Sequence, residues 1–246
     1  LSRTVENSFE LLRSRLPSEW STASLQPGSL PARHKVVVLD DDPTGTQTVA
    51  DIRVLTRWTP EILQQNLLSD APGFYLLTNS RSLTADDATN ITVVSRSDST
   101  LRGHFPGEVS ALREGLKRGG RPVSGGTLLI PTFVEGGRFT LDDTHWVSVG
   151  EQFVPCGETE FARDPVFGYR SSNLPEWVEE KSGGRWSRKD VQSLDLELIR
   201  REGPAGVANR LKDAREDDIF VVNALGYADL TVIAEAYWML AEAGVN

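Results

Sequence analysis

Two hydrophobic patterns follow one another along most of this 246-residue chain. Short continuous apolar runs rich in Val, Ile and Leu are typical of strands that are buried on both faces of a parallel sheet. Between them, apolar residues recur at the three- and four-residue spacing of an amphipathic helix. The predicted strands are residues 35–39, 52–56, 74–78, 92–95, 127–130 and 219–223. The predicted helices are residues 60–68, 106–117, 204–215 and 230–243.

This alternation predicts an α/β fold with a doubly wound, mostly parallel sheet and helices on both of its faces. Residues 1–33 combine helical spacing with a Ser-, Pro- and Gly-rich stretch, and we interpret them as an appended helix and linker. Residues 34–246 then form a single α/β domain. The Gly-, Trp- and Arg-rich residues from about 131 to 191 break the pattern, which predicts a long irregular insertion with short strand-like pieces at 145–149 and 152–155. The charges of the insertion are expected to form surface ion pairs.

Composition narrows the class of protein. A net charge of -9 and a pI near 5.0 oppose binding to nucleic acid or to an anionic membrane, because both depend on basic surfaces. No apolar stretch approaches the roughly 20 residues that span a bilayer. The single cysteine, Cys156, excludes an internal disulfide and a multi-cysteine metal site and favours a reducing compartment. We therefore expect a cytoplasmic protein with a small-molecule partner and no resident metal.

The most informative segment is an apolar strand that ends in three consecutive acids, Asp40, Asp41 and Asp42, followed by a turn with Thr44 and Gly45. In open α/β sheets, ligands bind at the carboxyl ends of the strands. Acids at that position can hold a metal, orient hydroxyl groups or accept a proton. A solvated turn that caps the next helix would explain one of the acids but not all three.

Two further strand ends carry polar clusters. Asn79, Ser80 and Arg81 follow the third predicted strand. The fourth is followed by Arg96, Asp98, Ser99, Arg102 and Gly103. Because the carboxyl ends of parallel strands lie side by side, we expect these clusters and the acids to converge on one crevice. Arginine forks in such a crevice suit a carboxylate or a phosphate.

One interpretation of the acidic segment is a phosphatase. The pattern Asp40-x-Asp42-x-Thr44 resembles the first motif of haloacid dehalogenase-like phosphatases, which implies Asp40 as nucleophile, Asp42 as general acid/base and a bound Mg²⁺. The later parts of that pattern do not follow, because no lysine is suitably placed and Asp217 and Asp218 precede a strand where they should follow one.

A fuller resemblance rests on five segments in order: DDDPTGTQTV at 40–49, TNSRSL at 78–83, SRSDSTLRGH at 95–104, EGGR at 135–138 and GETEFA at 157–162. Together they resemble the N-terminal, sugar-binding domain of the four-carbon acid sugar kinase family, which includes threonate, erythronate and 3-oxo-tetronate kinases. The agreement covers nearly the whole chain from about Lys35. Relatives carry an additional helix between the second and third segments, where this chain has only residues 84–90.

The resemblance implies a function divided between two domains. Members of the family use ATP and Mg²⁺ to phosphorylate the terminal hydroxyl of a tetronate, which is held by the first domain while a C-terminal domain binds the nucleotide. This chain ends at Asn246 and has neither a phosphate loop nor a dinucleotide-binding glycine motif. We therefore expect the nucleotide domain to be absent here and supplied in cis or in trans, and we expect neither ATP nor Mg²⁺ to bind this chain alone.

The resemblance also suggests roles for individual residues. Three arginines, Arg81, Arg96 and Arg102, would hold the substrate carboxylate, and Asp41, Asp42 and Asp98 would bind its hydroxyls. In an intact kinase Asp98, or failing that Asp42, would accept the proton of the attacking hydroxyl. The remaining predicted substrate-binding residues are Asp40, Thr44, Gly45, Asn79, Ser80, Ser99 and Gly103. A non-catalytic binding protein of the same family, acting as a secreted effector, is the alternative to this function, and an oligomer is compatible with either.

Overall fold

The computed structural model describes residues 11–21, 35–40, 49–57, 59–77, 91–96, 98–118, 120, 123, 125–150 and 152–244. The chain divides into two compact units. The large unit consists of Leu1–Gly28, Asp98–Phe105 and Ser124–Asn246, and the small unit consists of Ser29–Ser97 and Pro106–Val123. No helix in the described ranges has the length and apolar character needed to cross a membrane.

The small unit contains a four-stranded parallel sheet in the order β2-β3-β1-β4. Its strands are β1 (Lys35–Asp40), β2 (Arg53–Leu55), β3 (Gly73–Leu77) and β4 (Ile91–Arg96), and its helices are α1 (Pro60–Leu67) and α2 (Gly107–Arg118). Helix α1 begins where the Thr59 side chain accepts a hydrogen bond from the backbone N–H of Ile62, with a proline in the first turn. Its Leu63 packs against a core that includes Val37 and Phe74.

The large unit contains a parallel and an antiparallel sheet. The parallel strands, in the order β5-β10-β9, are β5 (Thr127–Leu129), β9 (Gln192–Leu194) and β10 (Ile219–Val222). The antiparallel strands are β6 (Arg138–Leu141), β7 (Thr144–Val149) and β8 (Gln152–Pro155). The helices are α3 (Leu174–Lys181), α4 (Leu196–Arg201), α5 (Gly203–Leu211) and α6 (Tyr227–Glu242), with short 3₁₀ helices at Cys156–Glu158 and Glu160–Arg163.

Strand β10 is apolar at every position because both of its faces are buried. Ile219 and Val221 face one core, which is shared with α3, whereas Phe220 and Val222 face another, which is shared with α4, α5 and α6. All four side chains are buried. Because alternate residues of a strand point to opposite faces, a sheet that is covered on both faces requires apolar residues at every position.

The predicted α/β class, with mostly parallel sheets flanked by helices, is confirmed, and each predicted strand lies within one residue of the observed bounds. The parallel strands form two sheets, where we expected one, because β5 pairs with β10. The insertion contains strands β7 and β8 at the predicted strand-like pieces, and also strand β6 and helix α3, which were not expected. The turn between β6 and β7 consists of Asp142 and Asp143, both with positive φ. Such two-residue turns usually have the sequence Asn-Gly or Asp-Gly, so Asp-Asp does not signal a hairpin in the sequence.

Part of the predicted N-terminal helix is seen in the described residues 11–21, of which 11–13 are helical. Leu12 and Leu16 pack on a core that includes Trp146, and Trp20 packs on the core of α5 and α6. The Trp20 ring lies over Gly203, where an added Cβ would come within 2.6 Å of it. This segment is thus part of the large unit. The predicted boundary at residue 33 lies outside the described residues.

We expect Gly203→Ala to lower the free energy of unfolding by about 2–4 kcal/mol, because alanine at φ +62° is strained and its methyl group also collides with Trp20. Gly183→Ala is the matched control, since Gly183 has the same φ of +62° but nothing within 4 Å of the added Cβ, and it should cost only about 1 kcal/mol. Urea unfolding measures both. Equal losses in the two variants would contradict the packing of Trp20 on Gly203.

Candidate functional site

In the small unit, the first of the three acids is paired with an arginine. Asp40 and Arg96 end neighbouring strands and are register partners. Arg96 Nη1 donates to Asp40 Oδ1 at 3.3 Å. The Asp40 side chain has no exposed surface, whereas that of Arg96 is 38% exposed. Asp40 therefore orients an arginine that a ligand can reach, and it has no surface through which to contact that ligand directly.

Seven predicted site residues lie outside the described residues, so their roles stay predictions. They are Asp41, Asp42, Thr44, Gly45, Asn79, Ser80 and Arg81. Of the six that are described, Asp40 and Arg96 lie in the small unit. The remaining four, Asp98, Ser99, Arg102 and Gly103, belong to one loop of the large unit. The expected convergence of Arg96 with Arg102 joins residues of different units, and it also stays a prediction.

The loop in the large unit brings together Asp98 and Arg102, two of the predicted site residues. Asp98 accepts hydrogen bonds from the backbone N–H and the hydroxyl of Thr100, at 3.0 and 2.6 Å. Its Oδ2 also accepts from Arg102 Nε at 2.7 Å. The Asp98 and Arg102 side chains are 33% and 35% exposed. The loop thus presents a carboxylate and a guanidinium side by side to solvent, in a fixed geometry.

Backbone strain accompanies this geometry. Leu101 lies between the two exposed residues but is buried, and it adopts a left-handed conformation with φ of 65°. A bulky side chain in that region costs on the order of 1–3 kcal/mol and persists only where the surrounding structure enforces it. Leu101 packs into the core of the large unit, and this anchors the loop.

Two buried side chains hold the loop from the core side. His145 Nε2 lies 2.8 Å from the Ser99 carbonyl oxygen, and the Tyr169 hydroxyl donates to the Thr100 carbonyl at 2.7 Å. Since a carbonyl only accepts, Nε2 carries the proton, and Nδ1 accepts from the Thr140 hydroxyl at 3.1 Å. Burial, assisted by the positive charge of Arg138, lowers the pKa of His145 to about 4.

We expect the free energy of unfolding of the chain to decrease as the pH is lowered from 6.5 to 4, because of His145. The unfolded histidine titrates near 6.5 and the folded one near 4, so acidification favours protonation of the unfolded state. The loss reaches roughly 3 kcal/mol at pH 4. Urea unfolding at several pH values, compared with His145→Gln, which keeps a donor for Ser99, measures this contribution. Parallel pH profiles for the two proteins would contradict it.

On its outer side, Arg102 meets residues of the insertion. Its Nη1 lies 3.7 Å from Asp164 Oδ2, and its Cζ lies 5.1 Å from the centre of the Phe161 ring. Asp164 also accepts the backbone N–H groups of Phe167 and Val166, which lower the pKa of its carboxyl. The interpretation of this charged stretch as surface ion pairs therefore misses a residue that contacts the loop.

A second arginine lies at the same aromatic ring. The Cζ of Arg138 is 5.8 Å from the centre of the Phe161 ring and 5.6 Å from that of Phe133. The cluster of Asp98, Arg102, Asp164 and Arg138 thus combines two carboxylates with two guanidinium groups. Across the part of the chain that the structure describes, no group of three or more His, Cys, Asp or Glu residues is placed to hold a metal ion. The cluster suits a small molecule that has both hydroxyl groups and an anionic group.

Comparison with known families gives the class of ligand that the chain binds. The family model described as a sugar-binding N-terminal domain matches residues 36–245, nearly the whole chain. The chain belongs to this sugar-binding family. The match confirms at family level the resemblance found in the five sequence segments. A search of curated proteins finds no match.

Solved structures of the sugar-binding family's fold include two bacterial proteins. One is a Salmonella typhimurium LT2 protein provisionally described as a tRNA synthase, with a TM-score of 0.58, 18% identity and 83% of this chain covered. The other is a Haemophilus influenzae protein of the DUF1537 family, with a TM-score of 0.56, 16% identity and 82% covered. The match covers 51% and 50% of those proteins, so this chain spans about half their length. At these identities the likeness shows the fold alone.

Proposed function

We propose that the chain binds a four-carbon acid sugar, a tetronate, as the substrate-binding half of an ATP-dependent kinase that phosphorylates the terminal hydroxyl. The observation that carries this proposal is the loop in which Asp98 and Arg102 lie side by side, each about one third exposed. It adds an anion-binding group to the sugar-binding role that the family gives the chain.

The charges of the cluster favour a polyhydroxy acid over other ligands. Carboxylates such as Asp98 and Asp164 accept hydrogen bonds from sugar hydroxyls, and a guanidinium binds a carboxylate through parallel hydrogen bonds. A neutral sugar would offer no anionic group to the guanidinium groups of the cluster. A free phosphate ion, which lacks apolar carbon and carries more charge, would be repelled by the two acids at the same site. A tetronate offers one carboxylate and several hydroxyls.

In the kinase reaction, Asp98 would accept the proton of the terminal hydroxyl as its oxygen forms a bond to the γ-phosphorus of ATP and ADP leaves. Thr100 and Arg102 fix the orientation of the Asp98 carboxylate for this role. ATP would be bound by residues beyond those of this chain, and the residues here would hold and orient the sugar.

The phosphatase interpretation gains no support from the site. A phosphatase would need Asp40 exposed as a nucleophile, whereas its side chain is buried against Arg96. The family match also leads away from it.

Calorimetric titration tests the binding part of the proposal. D-threonate, L-threonate and D-erythronate are compared with the uncharged polyols threitol and erythritol. We expect one of the acids to bind at least 10-fold more tightly than its polyol, since a charge-assisted contact contributes roughly that factor. If titration detects no heat of binding for any of the three acids, the proposal is wrong.

The kinase part has its own test. Protein expressed from the complete gene is incubated with the bound tetronate, ATP and Mg²⁺, and phosphorylated tetronate is followed by mass spectrometry. We expect a monophosphate of the acid sugar. If the acid sugar binds but no phosphate is transferred, the kinase assignment is wrong and the non-catalytic binding role is favoured.

A further inference from the structure

The guanidinium of Arg138, at the start of β6, is held by aromatic rings and not by acids. It stacks against Phe133 and Phe161, with Cζ 5.6 and 5.8 Å from the ring centres. Among the residues that the structure describes, no carboxylate forms an ion pair with Arg138, and its buried Nε has no hydrogen-bond partner.

The turn that precedes β6 is shaped to hold this guanidinium. A Cβ at Gly136 would lie 2.0 Å from Arg138 Nη1 and 2.4 Å from the Phe133 ring, so only glycine leaves room for both. Gly137 completes the turn with φ of +64°. The acid of the same turn, Glu135, accepts a hydrogen bond from the Tyr227 hydroxyl. The acid nearest to Arg138 in sequence is thus bonded elsewhere.

Arg102 and Arg138 share the Phe161 ring but differ in their partners. Arg102 lies between Asp98 and Asp164, which offset its charge. Arg138 has aromatic neighbours, and these orient a guanidinium without taking up its hydrogen-bond donors in the way that a carboxylate does. Of the two, Arg138 retains the stronger electrostatic attraction for an incoming anion.

We infer that Arg138 is the residue that recognises the carboxylate of the acid sugar. This inference rests on the proposed function and deepens it, because it assigns the two ends of the ligand to different groups. The planar guanidinium takes the planar carboxylate through parallel hydrogen bonds. Asp98, oriented by Arg102, takes hydroxyl groups. Arg138 thereby sets the preference for an acid sugar over an uncharged one.

The test compares Arg138→Gln with the unchanged chain by calorimetric titration against the preferred tetronate and its uncharged polyol. We expect affinity for the tetronate to fall roughly 10- to 100-fold, while affinity for the polyol changes less than about threefold. Arg185→Gln is the matched control, since Arg185 also stacks on an aromatic ring, that of Trp186, but pairs with Asp217. It should bind both ligands as the unchanged chain does.

Each outcome has one meaning. Failure of the unchanged chain to bind any tetronate overturns the proposed function itself. If the unchanged chain binds a tetronate and Arg138→Gln still prefers the acid to its polyol, the inference alone is overturned. The inference is also overturned if Arg138→Gln keeps its melting temperature but loses affinity for the acid and the polyol equally. Should Arg138→Gln unfold early, Arg138→Lys decides, because it keeps the charge but loses the fork. An undiminished tetronate affinity in that variant likewise opposes the inference.

Discussion

Replacing Arg102 with alanine is expected to remove measurable tetronate binding, a loss of at least about 100-fold in affinity. Arg102 donates to Asp98, lies 3.7 Å from Asp164 and packs over Phe161. Its removal takes away the positive charge between two carboxylates. The remaining acids then repel an anionic ligand, and Asp98 also loses a donor that fixes its orientation.

The measurement is the same calorimetric titration, with Arg118→Ala as the control. Arg118 also forms an ion pair with an acid four residues earlier, Glu114, but on the exposed surface of α2. It should leave the affinity unchanged. Arg102→Lys should bind about 10-fold more weakly than the unchanged chain, because an ammonium keeps the charge without the planar fork. A Kd within threefold of the original in Arg102→Ala would show that this loop does not bind the ligand.

The second large effect concerns stability. Asp229→Ala should lower the free energy of unfolding by about 3–5 kcal/mol, because it leaves a buried guanidinium with only the exposed Glu19 carboxylate, 3.9 Å away, as a counter-charge. Arg200 in α4 and Asp229 in α6 form two parallel hydrogen bonds, at 2.8 and 3.0 Å, with side-chain exposures of 8% and 1%. Asp229 also accepts the N–H of Leu225, and Arg200 donates to the Pro17 carbonyl at 3.0 Å.

Urea unfolding followed by circular dichroism measures this loss. Asp217→Ala breaks the exposed pair with Arg185 and should cost at most about 1 kcal/mol. The double variant Arg200→Met/Asp229→Leu should recover much of the stability, since apolar residues of similar volume often replace a buried ion pair at little cost. A loss below 1 kcal/mol for Asp229→Ala would mean that water reaches Arg200 and solvates it.

The proposed ligand-binding groups of the large unit, Asp98 and Arg102, are positioned by buried side chains on the core side of their loop. His145 and Tyr169 bind the carbonyls on either side of the junction between Ser99 and Thr100, and Leu101 fills the core beneath. A site held in this way keeps its geometry before the ligand arrives, so less conformational entropy is lost on binding. The strain at Leu101 is offset by the packing that enforces it.

The sequence by itself determined the α/β class, the positions of the principal strands, the family, and the loop that carries Asp98 and Arg102. Each of these is local. A strand that is buried on both faces must be apolar throughout, and the hydrogen bonds among Asp98, Thr100 and Arg102 join residues at most four apart.

The tertiary structure alone decided which strands share a sheet and which distant residues complete the site. Asp164 and Phe161 contact Arg102 of the loop from positions dozens of residues away, and His145 contacts Ser99 from strand β7. Arg138 lies against the same Phe161 ring. Arg138 and Phe161 lie within the EGGR and GETEFA segments that carry the family resemblance, but the sequence does not show that their side chains meet. Their roles follow from burial and from the absence or presence of a partner charge, which depend on how the whole unit packs. The surroundings of Arg138 that support a carboxylate-binding role, two aromatic rings against its guanidinium and no paired acid among the described residues, are visible only in three dimensions.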